Sequence, residues 1–185
     1  MTELDGMRVA VLATDGFEES ELTEPVRALK QAGAHVDIIA PKPGKLQGFH
    51  HYDKSGMVNV NRTLENADPT SYDALVLPGE VWNADSLRVA PGAQTFIRQI
   101  DSAGKGIAAI CHAPWELISA CVIRDRTLTS FHTIEDDVRN AGGHWVDREV
   151  VVDRNLVTSR KPDDIPAFSR EMIRVFACLA QPAHR

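Results

Sequence analysis

Short apolar runs alternate with amphipathic stretches along most of this chain. Met7 to Ala13 (MRVAVLA) predicts a strand that stops at the turn-prone Thr14-Asp15-Gly16. Leu22, Val26 and Leu29 then recur at helical spacing within Glu21 to Ala32, and Gly33 sits where a helix C-cap falls. His35 to Ala40 (HVDIIA) predicts a second strand, closed by Pro41-Lys42-Pro43-Gly44, so the first unit is β-α-β. Residues 41–70 break the pattern with frequent Pro, Gly, His and Asn; they predict a surface excursion, with a hairpin around the strand-like Met57 to Val60. Asp73 to Leu77 (DALVL) predicts a third strand running into Pro78-Gly79, Leu87 to Ser102 a helix, and Gly106 to Ile110 (GIAAI) a fourth strand. An apolar helical segment from Pro114 to Cys121 follows, then a helix over Thr133 to Ala141. Two short strands are expected at Glu149 to Asp153 and Asn155 to Thr158, and a last helix over Ile165 to Leu179. Buried apolar strands alternating with helices specify an α/β fold: a doubly wound, mostly parallel sheet sandwiched by helices, with residues 1–185 as one domain.

Composition narrows the class of function. At 43% hydrophobic and 25% charged residues the 185-residue chain buries one sizeable core, which excludes disorder. Twenty Lys and Arg against 26 Asp and Glu give a net charge of −6, which argues against a nucleic-acid or anionic-membrane partner. The polar start, Met1 to Gly6, lacks the apolar stretch of an export signal, and no segment approaches the roughly 18 apolar residues of a membrane span. The expected location is therefore a reducing cytoplasm. Three cysteines make no disulfide framework there, and one of them is a candidate working thiol.

Sites in open α/β sheets lie outside the carboxyl ends of the strands, here Thr14 to Glu21, Pro78 to Asn83 and Cys111 to Trp115. In Ala109-Ile110-Cys111-His112-Ala113 a nucleophile follows a strand, with a small residue two positions away on either side. That is the steric requirement of a nucleophile elbow. A thiol at a helix start faces the positive end of the dipole and unpaired N–H groups, so Cys111 is expected below the roughly 8.5 of a free cysteine. The N–H of His112 and its neighbours would face an oxyanion, and the His112 ring is a candidate general base. The alternative for Cys111 is a small core residue without chemistry. Cys121 and Cys178, each in an apolar helical pattern, are expected to be packing residues.

With Asp15-Gly16-Phe17-Glu18-Glu19-Ser20-Glu21, Asp73 to Gly79 and Ala109 to Pro114 in this order, the chain resembles the ThiJ/PfpI superfamily. Within it the match is to the PfpI-like branch of intracellular cysteine proteases and stress proteins. Thr129-Ser130-Phe131, Gly143 to Asp147, Val150 to Asp153 and Thr158 to Pro162 extend the resemblance over nearly all of residues 7–180. It implies a flavodoxin-like sheet of the kind that class I glutamine amidotransferases also use. It further implies Cys111 as nucleophile, Glu21 as its carboxyl partner with Glu18 as the alternative, and a homodimer or higher homo-oligomer. An amidotransferase itself needs a downstream His-x-Glu, which no histidine here begins.

The family pattern is broken at three places. Glu80 stands where the family continues Pro-Gly-Gly, so Gly79 and Glu80 line an oxyanion pocket narrowed by a side chain and a negative charge. Ala84 stands where protease members place an acid for a neighbouring subunit's histidine, with Asp85 beside it as a shorter substitute, which makes general peptidase activity doubtful. Phe131 replaces a histidine of related branches, leaving His132 as an assisting residue. Trp82 and Trp115, both after sheet-end turns, are candidate pocket walls. No cofactor is expected, because both the dinucleotide fingerprint and the phosphate-loop pattern are missing. His50-His51 reads as a solvated loop, so no metal is expected either.

The expected function is a stress-protective cysteine hydrolase acting on small reactive carbonyls or glycated protein adducts, in the deglycase or glyoxalase manner. The alternative is a redox-sensing or chaperone-like protein whose Cys111 is oxidised instead.

Overall fold

The structure is a computed structural model that describes residues 2–180. From the N-terminus, β1 (Arg8–Leu12) leads through the short β2 (Phe17–Glu18) into α1 (Glu19–Gln31), and the chain returns as β3 (His35–Ala40). A hairpin follows, β4 (Lys45–His50) and β5 (Asp53–Asn59), then β6 (Arg62–Thr63) and β7 (Ala74–Leu77). Helices α2 (Val81–Leu87) and α3 (Ala93–Ser102) precede β8 (Gly106–Ile110), and α4 (Pro114–Ser119) leaves it. The remainder is β9 (Thr127–Leu128), α5 (Glu135–Asn140), β10 (His144–Trp145), β11 (Val150–Asp153), β12 (Leu156–Ser159) and α6 (Ile165–Ala180).

Seven strands form the central sheet in the order β11-β12-β8-β7-β1-β3-β6. All neighbours in it are parallel except the edge pair β11 and β12. Alternation along each strand divides the core between the two faces. Val9 and Val11, Ala74 and Val76, and Ala108 and Ile110 pack against Leu22 and Leu29 of α1 and Phe168, Met172 and Phe176 of α6. Ala10 and Leu12, Leu75 and Leu77, and Ile107 and Ala109 meet Leu87, Phe96, Ile97 and Leu117 from α2, α3 and α4. Gly106 opens β8 because the Phe176 ring lies against its Cα and leaves no room for a Cβ.

The excursion at 41–70 is a hairpin, β4 against β5, joined by β2 into a separate three-stranded sheet. The expected helix over 87–102 starts only at Ala93 as α3, because α2 ends at Leu87 and residues 88–92 form a turn. Pro91 lies in that turn, and Gly92 at φ 87° is the cap from which α3 starts. The pair β9 and β10 was too short to show a period and is absent from the expected elements. Two cysteine expectations fail: Cys121 and Cys178 are both exposed. Cys121 lies past the end of α4 in a turn at φ 60°, and Cys178 follows the buried Phe176 by two positions, which rotates it to the far side of α6. No helix among the described residues is long and apolar enough to cross a membrane.

Candidate active site

The carboxyl ends of β1, β7 and β8 converge, and Asn83 joins two of their loops. Its amide donates to the Pro78 carbonyl (2.8 Å), and its Oδ1 accepts from the Thr14 N–H (2.8 Å). Cys111 follows β8 at φ 64°, a left-handed conformation that a non-glycine residue adopts at a cost of about 1 kcal/mol or more. The buried Ala109 and Ala113 flank it. Two backbone hydrogen bonds hold this corner: Cys111 N–H to the Ser159 carbonyl (3.0 Å), and Phe131 N–H to the Cys111 carbonyl (2.8 Å). Ile110 and Cys111 belong to the apolar layer under α1 and α6, and Cys111, 7% exposed as a residue, lines a cleft of about 810 Å³.

Glu21, on the first turn of α1, is fully buried rather than solvated. Its Oε2 accepts from the Gly79 N–H (3.0 Å), Oε1 is buried without a hydrogen-bond partner, and the Cys111 thiol lies beside the carboxyl. Gly79 fits between them because a Cβ there would strike both Glu21 and Cys111. Burial raises the Glu21 carboxyl to about 8, with the charge of Glu18 pushing the same way and the Gly79 N–H pulling back. Glu21 is therefore a neutral acid at pH 7, with an O–H to give to a developing thiolate.

The expected lowering of the Cys111 thiol is overturned. Burial pushes it well above its ordinary value and the Glu21 charge, when present, adds to this. The backbone N–H groups of Glu80 and His112 pull in the other direction. They are outweighed, and α4 is only six residues long and starts three positions later, so its dipole is weak at the sulfur. His112 places Nδ1 3.2 Å from the Cys111 Sγ and Nε2 3.3 Å from the Thr133 Oγ1. Its ring stacks on Phe131 (centroids 4.9 Å apart) and meets the edge of Trp115 at 5.4 Å. Burial lowers the imidazole to about 4, and the charge of His132 adds to that, so His112 is also neutral at pH 7. The resting constellation is thus thiol, neutral imidazole and neutral carboxyl.

Glu80 carries a second strained backbone, φ 77° and ψ 142°, close to a region that glycine alone occupies freely. Its carboxylate accepts from the next residue's N–H, Val81, at 2.8 Å. Glu18 is buried in β2, where it accepts from the His51 N–H (3.0 Å) and pairs with His50 (3.4 Å), so it serves the hairpin and not the sulfur. Asp85 points from α2 into solvent, and Ala84 beside it is buried. His132 is exposed and does not line the cleft; Thr133, one residue on, does. Trp115 stays outside as well, its Nε1 donating to Asp137 (2.8 Å), whereas Trp82 forms a wall, edge-on to Phe49 at 5.3 Å. Phe49, the hairpin residues His50 to Tyr52 and the segment 161–163 also line the cleft; nothing in the sequence marked Phe49 or Tyr52, and His50-His51, expected as a solvated loop, are part of this wall. Among the described residues no cluster of three His, Cys, Asp or Glu side chains is arranged to hold a metal ion.

The family model described as DJ-1/PfpI matches residues 7–175. The chain is 44% identical over 169 residues to Protein/nucleic acid deglycase 2 of Escherichia coli, covering 91% of this chain and 96% of that protein. It is 42% identical over 169 residues to Deglycase TK1284 of Thermococcus kodakarensis, covering 91% and 99%. The fold superposes with a TM-score of 0.86 and 32% identity on a two-domain protein of Anabaena variabilis with DJ-1/ThiJ/PfpI-like and ferritin-like domains. The match covers 91% of this chain and 47% of that one, about half its length.

Proposed function

The chain belongs to the DJ-1/PfpI family, and from that premise we propose that it is a cysteine-dependent hydrolase of the deglycase type, acting on reactive carbonyls or on their adducts with proteins. The observation that carries the reading is the Cys111 sulfur on a strained corner that lines the cleft, 3.2 Å from a neutral imidazole nitrogen and next to a protonated Glu21. In this proposal the thiolate forms only as it attacks. The Cys111 proton passes to the His112 Nδ1 while the sulfur adds to the aldehyde carbon. The Glu80 and His112 N–H groups and the Glu21 O–H face the charge that develops. With an α-oxoaldehyde the hemithioacetal so formed passes its C1 proton to C2 by way of His112 or Glu21, so C1 is oxidised as the neighbouring carbonyl is reduced to an alcohol. Water hydrolyses the resulting 2-hydroxyacyl thioester to the 2-hydroxy acid and the free thiol. The relatives named deglycases favour adducts as substrates, and an 810 Å³ cleft has room for a side chain that carries the adduct. The exposed Trp82 and Tyr52 at its mouth leave apolar surface for a substrate protein or for a second copy of this chain in a homo-oligomer.

The alternative, a redox-sensing role, would use the same Cys111 thiol as a target of oxidation. The test is a substrate panel of methylglyoxal, glycated amino acids and peptides. Turnover of the carbonyl compounds with little or none of the peptides is expected. Micromolar peroxide modifying Cys111 while no carbonyl compound turns over would overturn the proposal.

Thr133 has a defined part in it. The mechanism requires the tautomer in which Nε2 donates to the Thr133 Oγ1, 3.3 Å away, and Nδ1 accepts from the thiol, 3.2 Å away. Thr133→Val keeps the shape and removes the acceptor, and it is expected to lower kcat/KM about tenfold with Thr133→Ser restoring it. Kinetics on the two variants, with ¹⁵N shifts of His112 to report the tautomer, check this; equal kcat/KM for wild type and Thr133→Val would remove Thr133 from the mechanism.

A further inference from the structure

The ionisable groups around the cleft do not cancel evenly. Glu18 is held by hydrogen bonds from the His51 N–H (3.0 Å) and the Ser20 hydroxyl (3.3 Å) and lies 3.4 Å from the His50 ring nitrogen, and Asp163 is matched by Lys161 at 3.1 Å. Glu21 is protonated near neutral pH, and His112 is neutral. Glu80 is different. Half-buried at the cleft wall, its carboxylate accepts one hydrogen bond, from the Val81 N–H at 2.8 Å, and no Lys, Arg or His among the described residues pairs with it. Its backbone N–H is at the same time on the Cys111 sulfur, so the residue that carries the unpaired charge is held beside the reacting group in a strained φ of 77°. An uncompensated charge in a partly enclosed cleft acts on an approaching molecule more strongly than it would in open water.

We propose that Glu80 is a specificity-determining residue that makes Cys111 select neutral and cationic carbonyl compounds and reject anionic ones. This rests on Cys111 being the reactive thiol of the proposed function and names the charge class of its substrates. Aldehydes and ketones without charge, and adducts on amine-bearing side chains, enter. Carbonyl compounds that carry a carboxylate, such as glyoxylate, are repelled.

The charge selection is measurable without any turnover. Iodoacetamide and iodoacetate have nearly the same size and the same reaction, in which the thiolate displaces iodide to form a thioether, but only the second is an anion. Their rates at Cys111 are followed by peptide mass spectrometry on the full chain, with the exposed Cys121 and Cys178 as internal references. Any change in the thiolate fraction affects both reagents alike and cancels in the ratio. Glu80→Gln retains an acceptor for the Val81 N–H without the charge, and Glu80→Gly suits the positive φ, so each variant checks the other.

Both variants are expected to raise the iodoacetate-to-iodoacetamide rate ratio at Cys111 about three- to tenfold at low ionic strength. That gain should collapse in about 1 M salt. The ratio at Cys121 and Cys178 should not change. A ratio at Cys111 equal to wild type in Glu80→Gln, or a gain that survives high salt, would overturn the proposal. Failure of the substrate panel with the ratio shifted as expected would instead count against the deglycase reading and leave the charge selection standing.

Discussion

Turnover of a glycated substrate is expected to fall at least 10³-fold in Cys111→Ser, with the unfolding midpoint close to wild type. Serine is smaller than cysteine, so it fits between Glu21, Gly79 and His112 and meets the same conformational cost at φ 64°. The difference lies in the chemistry of the proton. A hydroxyl is far harder to deprotonate than a thiol, and the acceptor at 3.2 Å is an imidazole that burial has lowered to about 4. Such a weak base serves a thiol whose sulfur spreads the developing charge, with the Glu21 O–H and two backbone N–H groups facing it. It does not serve an alkoxide. Parallel measurement of kcat/KM and of thermal unfolding for the two proteins separates a lost nucleophile from a lost fold. A rate within tenfold of wild type would mean that Cys111 is not the attacking group.

The sheet, the helices covering it and the corner at Cys111 were legible because each follows from a local pattern. Apolar runs gave β3 (His35–Ala40) and β8 (Gly106–Ile110) to the residue, and the small residues around Cys111 marked the turn. Less was legible where a property depends on what the rest of the chain brings near. The charge state of the site is one case. A cysteine before a helix suggests a lowered pKa, but the strands and α1 bury it against a carboxyl and reverse the direction. Thr133 is another: nothing in Phe131-His132-Thr133 marks the threonine over the histidine, and only the short helical turn at His132–Ile134 directs His132 to solvent and Thr133 to the His112 ring. The hairpin wall of the cleft is a third, since Phe49 and Tyr52 are in a polar excursion whose docking onto β2 has no signature in sequence. The departure at Glu80 was visible as a missing glycine. Its strained backbone and its lack of a cation became visible only in three dimensions.

Glu116→Leu is expected to stabilise the protein, by about 1–3 kcal/mol at pH 5 and by more at pH 8. Glu116 is fully buried on α4, neither carboxyl oxygen has a hydrogen-bond partner, and burial alone pushes its pKa well above the ordinary value. Leucine fills similar space without a polar group to desolvate. The pH dependence follows from proton counting. A carboxyl raised in the folded state keeps its proton after the unfolded chain has released it, so stability falls as pH rises from the unfolded value to the folded one. Glu21 imposes such a fall between 4.5 and about 8, and Glu116 acts in the same sense. His112, lowered from 6.5 to about 4, opposes them below pH 6.5, where the folded state holds the fewer protons. The net loss should therefore be clearest between pH 6.5 and 8, at about 1.4 kcal/mol per pH unit for each carboxyl still protonated in the folded state. Removing Glu116 leaves Glu21 as the main source of that slope, and each kcal/mol gained should raise the midpoint by about 2–4 °C. Urea and thermal unfolding of both proteins at pH 5, 6.5 and 8 measure the gain and its growth with pH. A Glu116→Leu protein no more stable than wild type at pH 8 would show that the carboxyl has found a partner that offsets its burial.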